Sequence, residues 1–221
     1  MKKYNYLLLL LLFLVVITGC NKKEVTDSIK FKNEYESLNN KTNDNNKKYK
    51  NLSISEDNSI IYSNEDEIIK LLKNGTGVIY FGFPECPWCR NAVPVLLDAA
   101  LETGTDIYYF NALSIRDIKE KDEDGNIITT KEGTDKYYKI LELLGEEADT
   151  YSGLDDESIK RLYFPTVVFV LDGKILYHHT GTVDSQKDPY VSLTKDQKEE
   201  LLNIYIDHMH EVLNDLCDDK C

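Results

Sequence analysis

Two cysteines set three apart carry the chemistry most plainly. They lie in Phe83-Pro84-Glu85-Cys86-Pro87-Trp88-Cys89-Arg90, where an apolar run passes into a helical pattern. Cys86 falls at the helix N-cap and Pro87 at the first helical position, which tolerates proline because its N–H would be unpaired there. A sulfur at the N-cap faces the free N–H groups of Trp88 and Cys89 and the positive end of the helix dipole. Both favour the thiolate, so the Cys86 pKa is expected below the free value of about 8.5. Cys89 lies one turn on, within disulfide reach but more buried. The expected division is Cys86 as the exposed attacking thiol and Cys89 as the resolving one. Two alternatives are a structural disulfide and half of a zinc site completed by Cys217 and Cys221.

The surrounding elements must deliver that pair. Gly77–Phe83 is a nearly continuous apolar run, as in a central strand buried on both faces. The helix from Cys86 should reach about Leu101. Ile60–Tyr62 and Ile107–Phe110 read as further strands. Ser63 is the expected N-cap of a helix carrying Ile68, Leu71 and Leu72, stopped at Asn74-Gly75. Thr166–Leu171 and Lys174–His178 flank Asp172-Gly173, a strong hairpin signal. A last helix starts at Thr194, with Gln197 placed for a capping box. Strands joined by helical crossovers are parallel and the hairpin adds antiparallel ones. The expectation is an α/β fold, one mixed sheet flanked by helices.

With these elements in place, Phe83–Arg90 resembles the active site of the thioredoxin superfamily. Pro94, inside the helix five residues after Cys89, matches the family's kinking proline. Phe164-Pro165-Thr166 matches its cis-proline strand, and the element order is the thioredoxin order. The match covers residues 59–112 and 164–216, with 113–163 as an insertion before the cis-proline strand. The Cys-x-x-Cys site is also similar to that of bacteriocin transport accessory proteins. The resemblance implies a thiol–disulfide oxidoreductase acting on protein thiols or disulfides, in a direction left open, without metal or organic cofactor. Cys86, Cys89 and Pro165 would be the catalytic positions. Pro87, Trp88, Phe164 and Thr166 would contact substrate, the Phe164 backbone pairing with the substrate chain like an added strand.

The chain also departs from the family pattern. Tyr80 stands where thioredoxins carry a buried Asp, six residues before the first cysteine, which leaves water or Glu85 to take up the proton. Glu85 sits beside Cys86 and should oppose its thiolate. The intervening Pro-Trp is closer to glutaredoxins and oxidase-type members, which suggests a potential above thioredoxin's roughly −270 mV. A rival reading is a non-catalytic accessory lipoprotein, with Cys86–Cys89 a permanent disulfide and the insertion holding a partner.

The first twenty residues read as an address. Lys2 and Lys3 precede the 11-residue apolar run Leu7–Ile17, too short to span a bilayer. Ile17-Thr18-Gly19-Cys20 resembles the lipobox of bacterial lipoprotein signal peptides. That resemblance implies cleavage after Gly19 and a lipid, such as palmitate, on Cys20. The expected domains are a signal peptide (1–19), a lipid-anchored polar tether (20–58) and a thioredoxin-like domain (59–221). Residues 21–58 are rich in Asn, Lys, Asp, Glu and Ser, and Asn39–Asn46 holds nothing to bury; a short helix near Phe31–Leu38 is the only order expected there. The protein would then sit outside the cytoplasm on the cell membrane, exchanging electrons with a membrane donor or acceptor. The charge is 26 − 39 = −13, or 24 − 39 = −15 after cleavage. Such an acidic chain is unsuited to nucleic acid, which needs a basic patch.

Weaker signals remain. Cys217 and Cys221, four apart at the end of the last helix, would have Cα atoms about 6.2 Å apart, inside disulfide range. They read as a terminal staple or a second redox pair. Asp122-Glu123-Asp124-Gly125-Asn126 faintly suggests a calcium loop, but Lys131 stands where its closing Glu belongs, so a solvated turn is expected. His178 and His179 are strand neighbours and should point to opposite faces.

Overall fold

The structure is a computed structural model that describes residues 25–218. The signal peptide and Cys20 lie outside the described residues, as does Cys221, and of Cys217 only the backbone lies inside. The terminal cysteine pair and the four-cysteine alternative therefore lie outside as well.

Five strands form the central sheet: β1 (Ile60–Tyr62), β2 (Gly77–Phe81), β3 (Ile107–Phe110), β8 (Thr166–Leu171) and β9 (Lys174–Thr180), in the order β1-β3-β2-β8-β9. β1, β3 and β2 are parallel, and β8 and β9 continue antiparallel from β2. The hairpin turns on Asp172 and Gly173, with φ of 49° and 78°. Positive φ at both central residues makes the mirror-image turn whose twist suits paired strands.

Helices cover both faces. α2 (Glu65–Asn74) begins at Asn64, one residue after the expected Ser63, because Asn64 and Glu67 form a reciprocal capping box. α3 (Pro87–Thr103) carries the cysteines, and α5 (Lys195–Asp218) starts from a Thr194/Gln197 box. The side-chain alternation of the sheet sorts the core. Val78, Tyr80, Tyr109, Val167 and Phe169 pack under α3 and α5. Ile79, Phe81, Phe110, Val168 and Val170 pack on the opposite face with α2.

One expectation on domain layout, the polar tether, is corrected. Residues 26–58 do not form a tether. α1 (Asp27–Glu36) lies on the sheet, its Phe31 and Tyr35 fully buried among Tyr109 and Tyr80, and Leu52 and Ile54 are buried after it. Four apolar side chains are enough to fix this stretch, because they fill a face that α3 and α5 leave uncovered. The polar composition between them lies on the solvent side.

The insertion 113–163 contributes to the core. Its helix α4 (Asp135–Leu144) buries Tyr137, Ile140 and Leu144 beside α2, completing the second face. Two small hairpins complete the segment: β4 (Ile118–Lys121) with β5 (Ile127–Lys131), and β6 (Asp149–Thr150) with β7 (Lys160–Arg161). Asp122–Asn126 is the β4–β5 turn, where the Asp122 carboxylate accepts from the backbone of Asp124 and Asn126. His178 reaches Glu147, and His179 bonds the Thr182 carbonyl.

Candidate active site

Burial of β2 on both faces aims the chain after Phe81 at the sheet's C-terminal edge, where it turns into α3. Cys86 is the N-cap in extended conformation, Pro87 follows at the first position, and the Cys89 N–H donates to Cys86 Sγ at 3.2 Å. Cys86 Sγ lies 3.5 Å from the Phe164 carbonyl oxygen, and the Phe164–Pro165 bond is cis. Both cysteines are free.

The two sulfurs differ sharply in environment. The Cys86 pKa is lowered, first by a hydrogen bond from the Cys89 thiol, then by the Cys89 and Trp88 amides and the Arg116 charge, against the opposing effect of burial. The Cys89 pKa is pushed well up, by burial first, then by the hydrogen bond and charge of Cys86. The Phe83 amide and the Tyr80 hydroxyl pull it the other way. This is the arrangement of one thiolate held by a neighbouring thiol.

Cys86 is not the open thiol expected: it is 5% exposed and Cys89 is 0% exposed. The Phe164 carbonyl covers its sulfur, while the Phe164 ring stacks edge-to-face on Phe83 at 5.2 Å. Arg116, from the inserted segment, lies over that ring at 4.9 Å and donates to the Leu162 carbonyl at 3.2 Å. The acidic Glu85 is exposed and is not among the groups that move the Cys86 pKa most.

Pro87, Trp88 and Phe164 are half-buried around the pair. Trp88 and Phe164 line a cleft of about 410 Å³ whose opposite wall is Thr180–Asp184 and Lys187. Pro165 is buried. Thr166, expected to face substrate, is buried too. Its hydroxyl donates to the Tyr163 carbonyl at 3.0 Å and pairs with the Thr180 hydroxyl at 3.0 Å, so it braces the loop from inside.

The residues missed in sequence come from far along the chain. Arg90 is fully buried without a carboxylate partner. Its guanidinium donates to the carbonyls of Lys50 (2.8 Å), Tyr35 (2.9 Å) and Pro84 (3.2 Å) and to Asn39 Oδ1 (3.1 Å). Three of those four acceptors lie in the segment 26–58, which is thereby tied to the first turn of α3. Lys50 lies alongside, its Nζ donating to Asn91 Oδ1, and burial beside Lys198 and Arg90 lowers its pKa to about 8. The one sequence signal for this cluster was a charged residue directly after Cys89, on the helix face that must enter the core.

Strand order, antiparallel hairpin and a Cys-x-x-Cys helix start facing a cis-proline loop define a thioredoxin-like fold. No family model and no curated protein matches the chain. Among solved structures, thioredoxin O2 from Arabidopsis thaliana in its oxidised state is similar at 16% identity and a TM-score of 0.33. The alignment covers 57% of this chain and 85% of that one. The fold assignment rests on the strand order and site geometry of the chain itself.

Proposed function

We propose that this protein is a thiol–disulfide oxidoreductase acting on protein thiols or disulfides through Cys86 and Cys89. One observation carries the reading: Cys86 Sγ stands at a helix N-terminus with an amide at 3.2 Å and the Phe164 carbonyl at 3.5 Å, beside the Trp88 cleft. That placement provides a stabilised thiolate and, next to it, a backbone carbonyl and an apolar wall against which an extended peptide pairs. The Cys86 thiolate attacks a substrate disulfide, giving a mixed disulfide and one released thiolate. Cys89 then attacks Cys86 Sγ, forming Cys86–Cys89 and releasing the second substrate sulfur. The reverse sequence oxidises a dithiol.

The dithiol form should reduce insulin. Cys89→Ser should accumulate mixed disulfides with client proteins, and Cys86→Ser should not. A wild-type dithiol that leaves insulin intact, with no trapped clients, would leave a binding role with a permanent disulfide. The potential of the pair, measured against glutathione, sets the direction.

The lipobox-like Ile17-Thr18-Gly19-Cys20 supports attachment to the outer side of the bacterial cell membrane by acyl chains. Among the described residues no helix is long and apolar enough to cross a membrane. Electrons would then pass to or from a membrane partner. Cys20→Ser should abolish incorporation of labelled fatty acid; incorporation that persists overturns this part.

A further inference from the structure

Only three of the 26 basic residues are arginines, and all three stand around the Cys86–Cys89 site. Arg90 meets four neutral acceptors. The other two come from the inserted segment and keep donors to spare. Arg116 lies over the Phe164 ring at 4.9 Å. Arg161, on β7, lies over the Tyr151 ring at 4.3 Å and the Tyr163 ring at 5.7 Å. Tyr163 and Phe164 are wall residues of the cleft beside Cys86. Arg116 donates one hydrogen bond, from Nη1 to the Leu162 carbonyl, and the Arg161 guanidinium makes none among the described residues. Both arginines are half-buried, and of their unbonded nitrogens only Arg161 Nε is enclosed. Neither forms an ion pair among the described residues, although the chain holds 39 acidic residues. The carboxylates adjoining them in chain or register are turned elsewhere. Asp117 is buried, 3.7 Å from Lys119 Nζ. Asp149, opposite Arg161 in the β6–β7 ladder, accepts from the Thr180 hydroxyl at 2.7 Å. Across the cleft, Asp184 and Lys187 contribute one charge of each sign.

We propose that Arg116 and Arg161 form a subsite for acidic clients, binding the carboxylate of an Asp or Glu close to the client's reactive cysteine. The proposal rests on the oxidoreductase reading. A guanidinium is a planar fork of donors that matches a carboxylate bidentately, and lysine offers no such fork. The aromatic ring against each guanidinium keeps water from one of its faces, so its charge is screened less than on an open surface. A client chain extended along the Phe164 backbone advances roughly 7 Å in two residues. The Phe164 carbonyl lies 3.5 Å from Cys86 Sγ, and Arg116 lies 4.9 Å from the ring of that same residue. The acidic side chain therefore falls within about two residues of the cysteine under attack. The overall charge of −13 repels acidic molecules at long range, so a preference for them has to come from a local site.

The test compares two short peptides. Each carries a cysteine joined by a disulfide to a pyridine-2-thiol leaving group, with Glu on both sides two residues away in one peptide and Gln in the other. The Cys86 thiolate attacks the peptide sulfur, the bond to the pyridyl sulfur breaks, and pyridine-2-thione leaves with the electron pair and a proton. Cys89 then attacks Cys86 Sγ and releases the peptide thiol. The wild-type dithiol should release thione from the Glu peptide about fivefold faster than from the Gln peptide at low salt, and the ratio should shrink as salt is added. Arg116→Gln and Arg161→Gln should each bring the ratio down to about two, and the double variant to about one. The ratio is insensitive to the reactivity of Cys86 itself, which acts on both peptides alike. Arg161→Lys keeps the charge without the fork and should fall between, and it carries the test if Arg161→Gln does not fold. Equal rates for the two peptides in the wild type, or a ratio unchanged in the folded variants, overturns the proposal. A wild-type protein that releases no thione from either peptide overturns the oxidoreductase reading itself.

Discussion

The two sides of the Cys86–Cys89 pair are built from different parts of the chain and do opposite things. On the Cys86 side stand the Phe164–Pro165 loop, the Phe83 ring and Arg116 from the inserted segment: one carbonyl, two aromatic edges and a cation beside a cleft. On the Cys89 side stand α1, β2 and β3, with stacked tyrosines and a buried arginine held only by neutral acceptors. The first side lowers a thiol pKa where a substrate can arrive, and the second raises one where water cannot. Their opposite shifts come first from the Cys89 thiol and the amides that lower Cys86 and from the burial of Cys89, to which Arg116 from the inserted segment adds a smaller effect on Cys86.

The largest expected effect breaks the Cys89 side. Removing residues 25–58 should leave the domain unfolded or nearly so. Phe31, Tyr35, Leu52 and Ile54 each bury about 1.5–3 kcal/mol of apolar stabilisation, and the total is comparable with the roughly 5–15 kcal/mol of a whole domain. Circular dichroism and thermal melting of the truncated chain check this. A truncated protein that melts like the full chain would mean that the segment is a passive cover.

Arg90→Ala should cost about 2–4 kcal/mol, since it leaves four buried acceptors facing a cavity. Denaturant titration reads the loss. Proteolysis should show early cleavage within residues 26–58, because three of those acceptors lie there.

Arg116 sharpens the other side. Arg116→Gln removes the cation beside Phe164 and should raise the Cys86 pKa by between about 0.3 and 1 pH unit, with little change in stability, since Arg116 is only half-buried. In the wild type, alkylation of Cys86 should rise with pH and level off below the pH at which free cysteine does, because its pKa is lowered in the folded protein. The sign for folding follows. The lowered pKa stabilises the reduced protein above the unfolded thiol's pKa, and that contribution is lost as pH falls through the folded value. An alkylation profile that does not move in Arg116→Gln would show that the guanidinium serves only to brace the loop through Leu162.

The smallest effect is expected at Glu85. Its carboxylate adjoins Cys86 in sequence but is exposed, so Glu85→Gln should lower the Cys86 pKa by less than about 0.3 pH unit. Thiolate absorbance against pH decides it. A larger drop would place the carboxylate nearer the sulfur than its exposure allows.

Whatever is decided within a few residues was legible in the sequence. Cys86 at the N-cap with Pro87 behind it, the Asp172-Gly173 turn, the Thr194/Gln197 box and the buried run of β2 each follow from local backbone geometry and capping. They sufficed to place the cysteines at a strand-to-helix turn, while Pro165 was matched to the site only through the resemblance of Phe164-Pro165-Thr166 to a cis-proline strand. What only the tertiary structure decided is the company the cysteines keep. Tyr35 meets Tyr80 across 45 residues of chain, Arg90 finds acceptors 40 to 55 residues away, and Arg116 arrives from the crossover after β3. Such contacts leave no periodic trace. In a stretch as polar as residues 26–58, two aromatics one helical turn apart and two aliphatics two residues apart are below the level at which composition reveals a core. They count here because they fit the uncovered face of a sheet that other parts of the chain build.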